Sequence, residues 1–133
     1  MSENLDLVRS IFAAWERGEF GRATEWADPE IEFVVADGPE PGSWLGVAGV
    51  AQGARAILSP FEDARVQAVE YRELDGGRIL VLVNSSGRAK KSGVALEQHA
   101  KAADLFHVRD NKVTKLVAYW DHERALADLG LKE

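Results

Sequence analysis

Residues able to move protons are concentrated near the end of the chain. Asp121 directly follows a run of strand-forming residues, and Tyr119 lies two positions before it. If that strand is regular, both side chains point to the same face. A carboxylate in an apolar pocket has a raised pKa, which suits it to moving a proton next to a carbonyl. A tyrosine hydroxyl beside it could hydrogen-bond a substrate oxygen. Asp121 and Tyr119 are therefore the candidate catalytic pair.

Each of these residues also has a structural alternative. Asp121 stands immediately before a predicted helix over 122–129, and aspartate is a favoured N-cap residue. Tyr119 can instead be an aromatic core residue whose hydroxyl reaches solvent. Capping and catalysis do not exclude one another at Asp121, so the sequence leaves both roles open.

A second group of candidates lies on the long β-patterned run before the last strand. Gln98, Asp104 and Phe106 are separated by even numbers of residues, so they share one face of that strand. The same face carries Leu96, Ala100, Ala102 and Val108, which makes it the more apolar one. A few polar groups in an apolar cavity are typical of small-molecule sites, so we expect all three to bind a ligand. Asp104 can alternatively be a turn residue near the hairpin end.

Aromatic residues elsewhere in the chain are predicted to wall the same cavity. The three candidates are Trp15, Phe33 and Trp44. Large aromatics usually belong to the core. Trp44 is the clearest candidate for a pocket wall because its loop, rich in proline and glycine, has nothing else to bury.

Several kinds of site are not indicated by the sequence. The three histidines show no spacing suited to a metal, so we expect no metal site. The chain has no cysteine, no glycine-rich nucleotide fingerprint and no GxSxG motif, and we expect no cofactor. With 22 acidic and 16 basic residues, the net charge of −6 argues against a nucleic-acid partner.

The first part of the chain has the periodicity of helices. Apolar residues recur at helical spacing over 3–17, and Gly18 follows them. We also predict a short helix over 20–27, ended by a turn at Asp28-Pro29, and a third helix over 47–58. The segment 37–46 is expected to be an irregular loop.

The remainder of the chain has the alternation of β-strands. After a short strand over 31–35, strands are predicted over 65–74, 78–86, 94–109 and 113–119. The order of elements predicts one α+β domain over 1–133, a cone-shaped, curved mixed sheet with helices packed in its concave face. A curved sheet with room on the concave side suits a small molecule.

The oligomeric state and the cellular location can also be predicted. The run 79–83 is apolar at every position, and helices of one subunit cover only one face of it. We therefore expect a homodimer through the other face. The first ten residues have no signal-peptide pattern, and no apolar run approaches a membrane span, so a cytoplasmic location is expected and no membrane partner.

Short motifs along the chain resemble those of the SnoaL-like polyketide cyclases, in the nuclear transport factor 2-like superfamily of cone-shaped domains. The resemblance rests on Asp110-x-Lys112-Val113, Tyr119-x-Asp121, residues 125–131, residues 28–32 and Trp44-x-Gly46. It implies the cone-shaped fold. It also implies that Asp121 matches the aspartate that acts as acid and base in the family's cyclases.

Three functional hypotheses follow from these residues. The first is an enzyme that uses acid/base catalysis to cyclise or isomerise a small apolar carbonyl or polyketide-like compound. The second is a module of the same fold that binds a hydrophobic ligand without turnover. The third is a dimerisation module whose cavity is filled by its own side chains.

Overall fold

The computed structural model describes residues 3–19, 23–37, 41–58, 61–89 and 95–131, and side chains within them at 3–19, 23–37, 41–55, 65–86 and 101–131. Within these residues there are three α-helices: α1 is Glu3–Glu16, α2 is Gly46–Leu58 and α3 is His122–Asp128. A single 3-10 turn, Ala23–Glu25, lies between α1 and the first strand. The predicted helix over 20–27 is therefore reduced to this turn in its described part, while residues 20–22 lie outside the described residues.

In the described part of the chain, six strands form one curved, unclosed sheet. They are β1 (Ala27–Val35), β2 (Gly42–Leu45), β3 (Phe61–Leu74), β4 (Arg78–Ala89), β5 (Ala95–Arg109) and β6 (Lys112–Tyr119). Their order is β2-β1-β6-β5-β4-β3. All neighbours are antiparallel except β1 and β6, which are parallel. The prediction of a curved mixed sheet in an α+β domain is confirmed.

Two local predictions at the start of the sheet are wrong. Asp28-Pro29 does not turn the chain out of the sheet, because β1 already begins at Ala27. The pairing with β6 shifts register between Ala27 and Glu32, and such an irregularity tolerates a proline that cannot donate to the ladder. The segment after β1 is not wholly irregular either, since Gly42–Leu45 pairs with β1 as an edge strand.

One face of the sheet, here called the inner face, carries the larger core. α1 packs Val8, Ile11 and Phe12 onto it, and all three are buried because they lie at helical spacing on one stripe. The sheet contributes Phe106 and Val81 among other buried residues. This arrangement matches the predicted packing of helices in the hollow of the sheet.

The opposite, outer face carries a smaller core that α3 covers. Ala125 and Leu126 of α3 are buried together with Leu80, Leu105 and other residues of the outer face. Leu80 is fully buried although it points away from α1. Thus α3 covers part of the outer side of the apolar run 79–83, where the sequence predicted a second subunit. The homodimer itself stays a prediction.

The hairpin between β5 and β6 turns at the predicted place. Asp110 and Asn111 have φ of 52° and 61°, the left-handed conformation that a two-residue hairpin of this type requires and that aspartate and asparagine tolerate best. In the turn between β3 and β4, Gly77 has φ of 74°. An added Cβ there would lie 2.6 Å from the carbonyl oxygen of Val108. Within the described ranges, no helix is long and apolar enough to cross a bilayer.

Candidate functional site

The inner face of the sheet has an acidic residue in the middle of an apolar row. Asp104 of β5 pairs with Val81 of β4 on one side and with Ala118 of β6 on the other. The row continues from Ala118 to Val35 and from Val81 to Tyr71. Directly paired residues point to the same face of a sheet, so Asp104 shares this apolar face with both partners.

The surroundings of Asp104 are apolar but not closely packed. Burial raises the pKa of the Asp104 carboxyl to about 7, because desolvation disfavours the charged form. The residue nevertheless keeps some accessible surface, as do its neighbours Ala102 and Ala118. Accessible surface deep inside a protein indicates a recess rather than close packing. Asp104 therefore borders a recess that solvent reaches.

The Asp104 carboxylate has no partner among the described side chains and backbone groups. No hydrogen bond or ion pair joins it to another residue of that part of the chain. A carboxylate among apolar side chains is normally paired, so an unpaired one in these surroundings is not explained by stability. A polar group of this kind in an apolar recess is what a ligand-binding site requires.

Aromatic rings close one end of the recess. Phe106, two residues from Asp104 on the same face, is fully buried, and the ring centroids of Phe12 and Trp15 each lie 5.9 Å from its own. The ring of Trp15 also lies 6.0 Å from that of Trp26. Of these residues, Trp15 keeps accessible surface. Phe106 is thus a buried apolar neighbour of Asp104 on the inner face, and the half-buried Trp15 packs against Phe106.

Phe33 and Trp44 lie further along the same face. Phe33 pairs with Leu116 of β6 and with Trp44 of β2, and the two rings are 5.8 Å apart. Both rings fill the space beside Gly53 of α2, where an added Cβ would come within 2.4 Å of Phe33. Trp44 is half-buried by this contact with α2. Trp44 is therefore a β2 residue that packs against Phe33 and α2 as part of the inner core.

Tyr119 does not lie on the face that the sequence predicted. It pairs with Ala103, not with Asp104, and both point to the outer face. Tyr119 is buried there against α3, and its hydroxyl is hydrogen-bonded to Asp128. Burial, followed by the charge of Asp128, raises the pKa of the Tyr119 hydroxyl. The predicted grouping of Tyr119 with Phe106, Phe33 and Trp15 in one cavity is wrong, because the sheet separates them.

Asp121 occupies the position of a helix cap. Its side chain accepts a hydrogen bond from the backbone N–H of Glu123 at 3.0 Å, and its backbone is extended, as the N-cap of α3 requires. The residue is exposed. Of the two roles that the sequence left open, the structure shows the cap. An exposed carboxylate in this position lacks the apolar surroundings that the predicted acid/base role needs.

Two residues near the recess were not singled out from the sequence. Trp120 is half-buried and packs against the inner core. Its backbone N–H donates to Asp37 Oδ1 at 2.6 Å, and the N–H of Asp121 donates to Asp37 Oδ2 at 3.3 Å. Asp37 thus fixes the end of β6 and with it the tryptophan. The signal available in the sequence was the tryptophan's position one residue after Tyr119, on the opposite side of the strand.

The remaining predictions about this site concern Gln98 and metals. The side chain of Gln98 lies outside the described residues, so its predicted ligand-binding role stays a prediction. Among the residues that the structure describes, no group of three or more His, Asp or Glu side chains lies close enough to hold a metal ion.

Comparison with known proteins places this arrangement in a family. The sequence pattern of the SnoaL-like domain matches residues 8–116. The chain belongs to the SnoaL-like domain family. The family resemblance predicted from the sequence is confirmed. An uncharacterized protein of Mycobacterium tuberculosis (strain ATCC 25618 / H37Rv) is 30% identical over 129 residues, covering 88% of each chain.

Solved structures share the fold of this SnoaL-like domain at low sequence identity. A nuclear transport factor 2-like protein of unknown function from Burkholderia pseudomallei K96243 superposes with a TM-score of 0.76 at 18% identity, over 96% of this chain and 97% of the other. TerC, co-crystallized with polyporic acid, has a TM-score of 0.74 at 19% identity, over 96% and 98% of the two chains. These likenesses show the fold.

The chemistry open to this SnoaL-like domain is set by Asp104. A carboxyl with a pKa near neutrality can accept a proton in one step and return it in the next. In the same row, Tyr71 has its pKa raised by burial and then by the charge of Glu16, so its hydroxyl stays protonated and can donate a hydrogen bond. The same row of the inner face thus carries an acid/base group and, two strands away, a hydrogen-bond donor.

Proposed function

We propose that this SnoaL-like domain binds a small, mostly apolar molecule bearing a carbonyl, and that Asp104 transfers a proton on it. The observation that carries the proposal is the unpaired Asp104 carboxyl in an apolar recess, with a pKa of about 7. Apolar walls favour an apolar ligand, while the carboxyl favours a group with which it can exchange a proton.

The proposed reaction is a proton shift. The Asp104 carboxylate removes a proton from the carbon next to the carbonyl, and the electron pair of that C–H bond moves into an enolate. The carboxyl, now neutral, returns the proton to another carbon of the same conjugated system. The net result is an isomerisation that needs no other reactant. An enolate attacking a second carbonyl of the same molecule would instead give a cyclisation.

The residues of the recess divide these tasks. A single acid/base group typically contributes about 10²–10⁴-fold in rate, which suits a ketone whose α-proton is already activated. Phe106 and Trp15 supply apolar contact and exclude water near the carboxyl. Tyr71 is the donor that we assign to the carbonyl oxygen, since it lies in the same row of the inner face.

The test is exchange of α-protons in deuterium oxide, followed by NMR for a panel of small cyclic and aromatic ketones. We expect wild-type protein to exchange at least one of them and Asp104→Asn to lose most of that activity, by roughly hundredfold or more. The rate should rise as the pH increases through about 7, because the carboxylate is the base. Asp75→Asn, which alters an exposed residue of the β3–β4 turn, is the matched control.

Two other outcomes would redirect the proposal. If Asp121→Asn, rather than Asp104→Asn, abolished exchange, the role predicted for Asp121 from the sequence would be correct and ours would not. If no ketone exchanged while apolar ketones raised the melting temperature, the domain would be a binding module without turnover. Melting curves of each variant with and without ligand separate these results from a simple loss of folding.

A further inference from the structure

The inner-face residues of β5 and β6 include a buried group and an accessible group. The buried ones lie towards the final hairpin: Phe106, Val108, Val113 and Leu116. The accessible ones lie towards the other end of the two strands: Ala102, Asp104, Ala118 and, directly after β6, Trp120. The accessible residues are thus neighbours around Asp104. Solvent therefore reaches the recess from the end at which β6 stops.

Trp120 stands at this end, within reach of Asp104. Asp104 pairs with Ala118, and Trp120 is two residues further along the chain. The backbone stays extended past the end of β6, since Asp121 has φ of −121° and ψ of 116°. One strand spacing across the sheet and two residues along it amount to roughly 8 Å between the backbones of Asp104 and Trp120. Aromatic side chains reach across such a diagonal.

Two alanines lie on the sheet between Trp120 and Asp104. Ala118 precedes Trp120 by two residues, and Ala102 precedes Asp104 by two residues on the neighbouring strand. Both alanines keep accessible surface although they belong to the inner face. Their methyl groups leave space above the sheet that a larger side chain would fill. A ligand that rests on them contacts the indole on one side and the carboxyl on the other.

Asp37 fixes the backbone that carries the indole. Its Oδ1 accepts the N–H of Trp120 at 2.6 Å, and its Oδ2 accepts the N–H of Asp121 at 3.3 Å. Asp121 in turn caps α3 through the N–H of Glu123. The tryptophan is thus held between the end of the sheet and the start of a helix. An aromatic surface that is already in position loses little conformational freedom when it binds a ring.

We infer that the ligand of this domain is a flat, conjugated ketone whose ring stacks on Trp120, with the carbon that exchanges its proton lying between ring and carbonyl. This inference rests on the proposed function and adds the class of molecule that it acts on. Tyr71, the donor assigned to the carbonyl oxygen, lies two strands from Asp104 on the side away from Trp120. The order Trp120, Asp104, Tyr71 across the inner face therefore matches the order ring, α-carbon, carbonyl.

The chemistry of such a ketone agrees with the small number of catalytic groups. A ring and a carbonyl attached to the same carbon both delocalise the negative charge of its enolate, so its proton is removed more easily than that of a saturated ketone. A single acid/base group contributes only about 10²–10⁴-fold in rate. Asp104 therefore suits an α-carbon that the ligand itself has activated.

The inference is tested with β-tetralone and trans-β-decalone. The two ketones have the same fused-ring skeleton, and only tetralone has an aromatic ring beside the α-carbon. Their dissociation constants are measured by calorimetry, and the ratio of the two is the readout. Aromatic pairs gain free energy beyond the burial of apolar area, so we expect wild type to bind tetralone roughly two- to tenfold more tightly than decalone.

Trp120→Leu is the decisive variant. Leucine keeps an apolar side chain and removes the ring, so the ratio of affinities should fall to about one, whereas Trp120→Phe should keep most of it. The ratio cancels any loss of apolar contact that both ketones share. Trp44→Leu is the matched control, because it makes the same change at a half-buried tryptophan that packs against Phe33 and α2. The ratio in this control should equal that of wild type.

Asp37→Ala tests the anchor of the tryptophan. It removes both acceptors and leaves the ring in the chain, so we expect about half or more of the preference for tetralone to be lost. Asp37→Asn should restore most of it, since the amide oxygen still accepts the N–H of Trp120. An unchanged ratio in Asp37→Ala would remove the positioning role of Asp37.

The outcomes separate this inference from the proposed function. Equal affinities of wild type for the two ketones, or a preference that survives in Trp120→Leu, would overturn the inference whether or not Asp104 exchanges protons. So would loss of the preference in Trp15→Leu alone, because the ring would then stack beside Phe106. A preference that depends on Trp120, found without any proton exchange, would uphold the class of ligand and remove the catalytic role of Asp104. Melting curves of each variant identify any loss of folding.

Discussion

Replacing Asp104 by asparagine should stabilise the protein at alkaline pH and leave it nearly unchanged at acid pH. Burial raises the pKa of this carboxyl from 3.8 to about 7 in the folded protein. Between these values the folded protein binds a proton that the unfolded chain has released, so the free energy of unfolding falls as pH rises. Above about 7 both states are ionised, and the full cost of burying the charge is present.

The size of the effect follows from the shift. A difference of about three pKa units, at about 1.4 kcal/mol each, corresponds to roughly 4 kcal/mol. This is an upper limit, because the recess beside Asp104 admits some solvent. Asparagine has nearly the same shape and carries no charge, so it avoids this cost at every pH. The advantage of Asp104→Asn over wild type should therefore grow by up to about 4 kcal/mol between pH 4 and pH 8.5.

Urea denaturation followed by tryptophan fluorescence at several pH values measures this difference. The linear extrapolation gives the free energy of unfolding of each variant, and equal slopes show that the unfolded states are comparable. Asp75→Asn, at an exposed turn position, serves as the control for general charge effects. Parallel stability curves for wild type and Asp104→Asn across this pH range would refute the burial of an unpaired carboxyl.

Other predictions concern packing, capping and assembly. Gly77→Ala should lower the free energy of unfolding by about 1–3 kcal/mol more than Gly76→Ala does. Both glycines have positive φ, but only at Gly77 would the added Cβ meet a carbonyl oxygen, at 2.6 Å. Gly53→Ala should cost a similar amount, because its Cβ would lie 2.4 Å from the Phe33 ring. Asp121→Ala should cost about 1 kcal/mol through loss of the cap, with Asp121→Asn nearly neutral, and thermal melts compare the two. The homodimer predicted from the apolar run 79–83 should give twice the monomer mass in analytical ultracentrifugation at micromolar concentration, and a monomer would refute it.

The fold was predictable because helical and strand periodicities are strong in this chain. The helical spacing over 3–17 corresponds to α1, and the turn at Asp110-Asn111 marks the final hairpin correctly. β2 was missed because the proline and glycine residues around it are typical of loops, and its pairing with β1 depends on contacts distant in sequence. Edge strands of four residues have little pattern of their own.

The candidate site was predicted in part. Asp104 was assigned to the correct face because it shares that face of β5 with the apolar residues Phe106 and Val108. Most charged residues of β5 lie on the other face. Tyr119 was not, because Leu116 and Val117 of β6 are both buried and the apolar pattern therefore does not distinguish the faces. A register shift of one residue exchanges the two faces of a strand. The pairing of Tyr119 with Ala103 depends on contacts between distant parts of the chain, and so does the raised pKa of Asp104, which comes from its burial.

The parallel pairing of β1 with β6 has a consequence for synthesis on the ribosome. β1 is made early, yet its partner at residues 113–118 is among the last parts of the chain to be made. Until then β1 can pair with β2 alone, and its other edge has unpaired N–H and C=O groups next to the apolar side chains of Ile31, Phe33 and Val35. The nascent chain therefore carries an unpaired, aggregation-prone strand edge for most of its synthesis. Completion of the last hairpin is the event that removes it, so truncations that end before β6 should aggregate during translation rather than accumulate as soluble fragments.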